Sequence, residues 1–129
     1  MALADPDLPR GVQAPELRTV APLGVDAGRY RRLCDAFDAM PRRSRLIVAL
    51  RLPPAGRRPR TLRAIGRLLG VGPERIRQLE QYALDDLSRA WLAHRAEGLT
   101  RDERVAELLP IIRASLDRYP IEETGRLIR

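Results

Sequence analysis

From Glu74 to Gln81 the chain reads ERIRQLEQ, and its polar residue types are those able to read the edge of a base pair. Arginine bonds bidentately to guanine, glutamine to adenine, and glutamate accepts from the cytosine amino group, each good pair being worth about 1–3 kcal/mol of discrimination. Within and beyond this stretch Ile76, Leu79, Ala83 and Leu87 recur at helical spacing and mark the buried stripe of a helix. Glu74, Arg75, Arg77, Gln78 and Gln81 then project outward near the start of that helix. A solvated charged face would look similar, and Glu74 also suits the positive end of a helix dipole. Their clustering in the opening turns, the part of a reading helix that enters a groove, favours DNA contact, most directly for Arg77 and Gln78.

Two helices and a tight corner must hold those side chains. Thr61 to Leu87 reads TLRAIGRLLGVGPERIRQLEQYALDDL. Ile65 and Leu69, four apart, share one face of a first helix. Gly66 leaves room for a second helix to cross closely, Gly70 suits a left-handed residue closing the first helix, and Val71 can plug the corner. Pro73 can start the second helix, where its missing N–H costs nothing. This pattern predicts a helix-turn-helix with its second helix free to enter a major groove. The competing reading is an ordinary helical hairpin, which needs fewer residues of defined type.

Composition narrows the classes. The 129 residues allow one domain and a modest core. Net charge is +7, which favours a polyanionic partner. All 24 basic residues are arginine, a usage that a GC-rich genome explains better than function does. Arg42, Arg43, Arg45, Arg51, Arg57, Arg58, Arg60, Arg63 and Arg67 precede the reading helix with no acidic residue among them. Such a run suits backbone phosphates, which give affinity without sequence information. Cys34 stands alone, so neither an internal disulfide nor a zinc cluster is expected, and it reads as a small core residue. His94 is also alone, and no nucleophile–base set, Gly-rich phosphate loop or paired carboxylate site stands out. Asp85 and Asp86 are adjacent on a helix and point apart, which is poor metal geometry. The expectation is a non-enzyme with no cofactor and no metal. No apolar run spans a membrane and no signal peptide is seen, so no membrane partner and a cytoplasmic location are expected.

Along the chain, residues 1–25 are rich in Pro, Gly and Ala and read as a flexible arm. From Asp26 a helix is predicted by Tyr30, Leu33, Cys34, Phe37 and Met40. Pro41 divides it from a second helix carrying Leu46, Ile47 and Leu50, and Pro53 to Pro59 form a loop. The reading helix is expected to run from Pro73 to near Ala96, adding Trp91 and Leu92. Thr100 and Glu103 form a capping-box signal for a last helix striped by Val105, Leu108, Leu109, Ile112 and Leu116, with Pro110 as a candidate kink. That extension either folds back on the core or offers its stripe to another protein. The fold expected is all-α: a small helical bundle containing a helix-turn-helix (26–96), with a C-terminal helical extension (97–129).

GVGPERIRQLEQYAL resembles the promoter-reading helix-turn-helix in region 4 of sigma-70 family factors, of the primary type; the ERIRQLE run is its specific part. MPRRSRLIVALRL and TLRAIGRLLGV are similar to the segments that precede it in the family, and the resemblance covers about Arg29 to Ala90. It implies base contacts from Glu74, Arg77 and Gln78 with Arg75 nearby, and phosphate contacts from Arg51, Thr61 and the backbone at Leu62. Thr61 serves equally as a helix N-cap, and Arg51 as a surface ion-pair partner. The resemblance also implies contact with the beta flap of RNA polymerase through the apolar surface of the helices before the motif. Three features depart from the family: Pro73 replaces an arginine, and Tyr82 and the Asp85–Asp86 pair stand where basic residues are usual. Nothing resembles region 2, so a complete sigma factor is not expected. A single small module buries only about 600–1,000 Å² on DNA, so polymerase, self-association or a separate region-2 protein would have to assist. The alternative is a protein-interaction module, bound to the polymerase flap or to a sigma or anti-sigma partner, that no longer reads DNA. A dimeric repressor using the extension to dimerise is a third reading.

Overall fold

Asp26 sets the start of the first helix, α1 (Ala27–Ala39), by accepting a hydrogen bond from the Arg29 amide at 2.9 Å. The computed structural model describes residues 8–53 and 56–118. Pro41 occupies the N-cap position of α2 (Arg42–Arg51), whose Leu46, Ile47, Val48, Ala49 and Leu50 are all fully buried. Five consecutive buried apolar residues cover every side of the helix over this stretch, so the second half of α2 is interior, and α2 sits against the long helix α4 (Pro73–Leu92). The short α3 (Leu62–Leu69) precedes α4, and α5 (Arg101–Ser115) follows it. Helices α1, α2, α3 and α5 all pack on α4, which is the hub of the bundle.

The two halves of α4 differ in burial. Over its first ten residues only Ile76 is buried, with Leu79 packed at the core edge. Over its second half Ala83, Leu84, Leu87, Ser88, Trp91 and Leu92 are all buried. The wide apolar arc at the C-terminal end is covered by neighbouring helices, and the N-terminal end is left with a polar outer side.

The C-terminal extension folds back on this hub. Leu108, Ile112 and Leu116 are buried, and Val105 and Leu109 pack against the core. The predicted capping box is present: the Glu103 amide donates to the Thr100 hydroxyl at 3.1 Å, and the Thr100 amide donates to the Glu103 carboxylate at 2.9 Å. Helix α5 continues through Pro110 without a break in its assignment. The Arg104 guanidinium, only 9% exposed, pairs with the Asp85 carboxylate on α4 and donates to the Leu99 carbonyl at 3.0 Å. Asp85 also accepts from Arg89 at 3.2 Å. Asp85, which stands where the resemblance led one to expect a basic residue, therefore faces α5 and its cation.

Two expectations are corrected. The arm predicted over 1–25 is tied down in its second part: β1 (Glu16–Leu17) pairs antiparallel with β2 (Leu116–Arg118), and Pro15 is buried. The Arg18 amide donates to the Ser115 carbonyl at 2.8 Å, and the Tyr30 hydroxyl donates to the Arg18 carbonyl at 2.7 Å. Burial raises the Tyr30 phenol to about 12, so it remains a donor at every physiological pH. A two-residue strand whose partner lies about a hundred positions away leaves no periodicity to read. Residues 1–7 of the arm and 119–129 of the extension lie outside the described residues. The second correction concerns the reading helix, which closes at Leu92 and not near Ala96. Ala93 takes a positive φ of 52°, and a 3₁₀ turn follows over Ala93–Ala96. Arg29 covers that end, 4.0 Å above the Trp91 ring and donating to the Trp91 carbonyl at 3.3 Å. Apart from the β1–β2 pair the described residues form an all-α bundle, and no helix among them is long and apolar enough to cross a membrane.

Burial alone would push the Asp85 carboxyl up, but Arg104 and Arg89 outweigh it and hold the group below its ordinary range. A depressed folded-state value stabilises the fold above the ordinary carboxylate range, near about 4, and that contribution is lost as the pH falls through the folded value. Asp85→Asn is expected to lower the unfolding free energy by about 1–2 kcal/mol at neutral pH and by less at about pH 3, below the ordinary carboxylate range. Urea denaturation at the two pH values checks this; equal losses at both would contradict it.

Candidate nucleic-acid interface

The geometry starts from the corner between α3 and α4. Thr61 caps α3 by accepting from the Ala64 amide at 3.0 Å, and Leu62, half-buried, is its first residue. Gly70 closes α3 in the left-handed region, with φ 76°. The amides of Gly70 and Val71 both donate to the Gly66 carbonyl, at 2.8 and 3.0 Å. Gly66 is buried where the turn crosses it: a Cβ there would lie 2.5 Å from the Val71 carbonyl oxygen. Pro73 is the first residue of α4, as its fixed φ and missing amide favour. The helix-turn-helix thus forms with each small residue used as its position demands.

On the outer side of α4 the five predicted reading residues, joined by Tyr82, form two stripes. Glu74, Arg77 and Gln81 follow each other by three and four residues, and so do Arg75, Gln78 and Tyr82. Glu74 and Arg75 are exposed, and Arg77, Gln78 and Gln81 are half-buried. The Arg77 Nε donates to both Glu74 carboxylate oxygens, at 3.0 and 3.1 Å, and its Nη2 also bonds Glu74. The Arg75 Nη1 donates to the Gln78 Oε1 at 3.3 Å. The Arg77 hydrogen bond holds the Glu74 carboxyl below its usual range, and the same bond raises the Arg77 guanidinium, so both stay charged at neutral pH. Each stripe therefore presents a donor and an acceptor side by side on a helix fixed from behind by Ile76.

Arg51 is placed differently. At the end of α2, it donates from Nε to Glu80 on α4 at 3.0 Å and from Nη1 to the Arg60 carbonyl at 2.8 Å. Both groups fix the loop before α3 against α4, and 28% of its side chain is exposed. Arg58, Arg63 and Arg67 are exposed on that loop and on α3. Among the described residues no group of three or more His, Cys, Asp or Glu could hold a metal ion. Cys34 is half-buried beside Tyr30, and burial raises its thiol.

Tyr82 is the residue on this face that the sequence reading left unassigned. It is 62% exposed and stands one helical turn beyond Gln78. The signal was present in the i+4 spacing, but aromatic residues at helical spacing are ordinarily core. Residues 36–89 match the family model described as Sigma-70, region 4. The match runs from the last turn of α1 through α2 and α3 to Arg89 of α4, and α5 lies outside it.

Gly66→Ala tests the corner. Alanine normally gains up to about 1 kcal/mol over glycine in a helix, whereas overpacking against backbone costs about 1–3 kcal/mol. The clash with Val71 should dominate, giving a net loss of about 1–2 kcal/mol in a urea titration. A stabilised variant would show that the crossing is looser than described.

Proposed function

We propose, on the premise that residues 36–89 are a sigma-70 region 4 domain and so a helix-turn-helix DNA-binding region of transcription-regulator type, that this protein reads promoter DNA of the minus-35 type and contacts RNA polymerase. The observation that carries the reading is the pair of polar stripes on the free half of α4. Arg77 is hydrogen-bonded to Glu74 and Arg75 to Gln78, each pair within its own stripe. In DNA, Arg77 and Gln78 would exchange these partners for guanine and adenine edges, and Glu74 would accept from cytosine. Arg75 and Gln81 flank them. Thr61, the backbone at Leu62 and Arg51 stand at the α3 end, where phosphate contacts would fix the register. The cap bond of Thr61 leaves its hydroxyl proton available as a donor, so capping and phosphate binding are compatible.

The contact with polymerase is supported by an apolar surface on the elements before the motif. An open cleft of about 600 Å³ beside α1 is lined in part by Val20, Ala21, Tyr30 and Cys34. Val20 is 78% exposed, and Leu23 in the same loop is fully exposed. Exposed apolar surface of this kind marks contact sites.

Selection of duplexes from a randomised pool by the full chain, with and without RNA polymerase, tests the reading. Arg77→Ala is expected to weaken binding to the selected duplex by about tenfold or more and to relax preference at one position. Removing Arg77 and Gln78 together should abolish sequence preference while leaving a salt-sensitive residual affinity. Unchanged promoter-specific activity in that double variant would overturn the proposal in favour of a protein-interaction module.

A further inference from the structure

We propose that Tyr82 is a phosphate-binding residue that ends the DNA-contact zone of α4 with a neutral hydroxyl. This rests on the reading above, in which the first turns of α4 lie in the major groove. Tyr82 continues the stripe of Arg75 and Gln78 and is 62% exposed, the only large side chain with apolar character so exposed on the described helices. It lies seven positions beyond Arg75, which is about 10 Å along the helix axis. The major groove is about 12 Å wide. A recognition helix meets the base edges with its N-terminal residues, so a side chain that far along the same stripe lies where the helix leaves the groove, beside the backbone phosphates.

The neighbouring charges fit a neutral contact. Asp85 is turned into α5 and neutralised by Arg104 and Arg89, so it does not oppose the phosphates at Tyr82. Asp86 is exposed one turn beyond Tyr82 and unfavourable beside a phosphate, which sets the end of the contact zone there. A phenol donates one hydrogen bond to a phosphate oxygen, and its ring can cover the adjoining sugar. Unlike an arginine it neutralises no phosphate and releases no counterion.

That distinction supplies the test, using the full chain and a duplex that the unaltered protein has selected from a randomised pool. Tyr82→Phe is expected to weaken binding about fivefold, the loss of one net hydrogen bond, with no change in the slope of log K against log salt. Tyr82→Arg should steepen that slope by about one. Replacing phosphates one at a time by neutral methylphosphonates should reveal a single position that costs the wild type affinity but costs Tyr82→Phe nothing. Identical binding by Tyr82→Phe at every salt concentration, or a flattened slope in that variant, would overturn the proposal while leaving promoter reading intact. Failure of the unaltered protein to bind any duplex at low salt would overturn both. Because the side chain is exposed, the variants should melt as wild type does, which separates a contact from a folding defect.

Discussion

The arrangement depends on one close approach. Where α3 ends, the carbonyl of Val71 lies so near the α-carbon of Gly66 that no side chain fits between them. This contact sets how the turn leaves α3 and therefore the direction in which α4 departs. The Gly66 carbonyl is also bonded by two amides of the turn, so the crossing is fixed by both sterics and hydrogen bonds. Every polar group on α4 inherits its position from that corner, because Ile76 and Leu79 hold the helix from behind and leave its outer side no freedom to rotate.

A single helix then does two jobs along its length. Its C-terminal half is enclosed by α1 and α5 and supplies much of the core, including Leu87, Trp91 and Leu92. Its N-terminal half is clamped only on one side and carries the polar stripes. The extension matters to this division through Arg104, whose bond to Asp85 holds a carboxylate of α4 against α5 and away from the polar stripes. The stripes are arranged in advance, since each donor already has an acceptor three residues away. On the proposed reading such pairs would keep long side chains near the groove and would have to open to admit a base edge, a trade that favours a partner able to replace both bonds.

Much of this was legible in the residues themselves. Gly66, Gly70 and Pro73 have few interpretations at their spacing, and the Thr100–Glu103 box announced α5 directly. The five outward residues of α4 followed from where Ile76 and Leu79 point. What escaped was long-range or singular. The β1–β2 pair is too short to imprint a period, and it depends on Tyr30 and Ser115 meeting Arg18 across the chain. The positive φ of Ala93 ends α4 without a glycine to mark it. The role of Asp85 could not be read because its partner lies nineteen residues further on, in another helix; for Arg51 an ion pair was anticipated, but its partners Glu80 and Arg60 could not be named for the same reason.

The central claim is that the free half of α4, and not another surface, meets duplex DNA. Amide chemical-shift mapping of the full chain during titration with a selected duplex tests it most directly. The account predicts that shifts concentrate at Thr61 and Leu62 and from Glu74 to Tyr82, with the cleft beside α1 unaffected by DNA alone. Shifts centred on the Val20–Leu23 loop and α1, with the Glu74–Tyr82 amides unmoved, would contradict it.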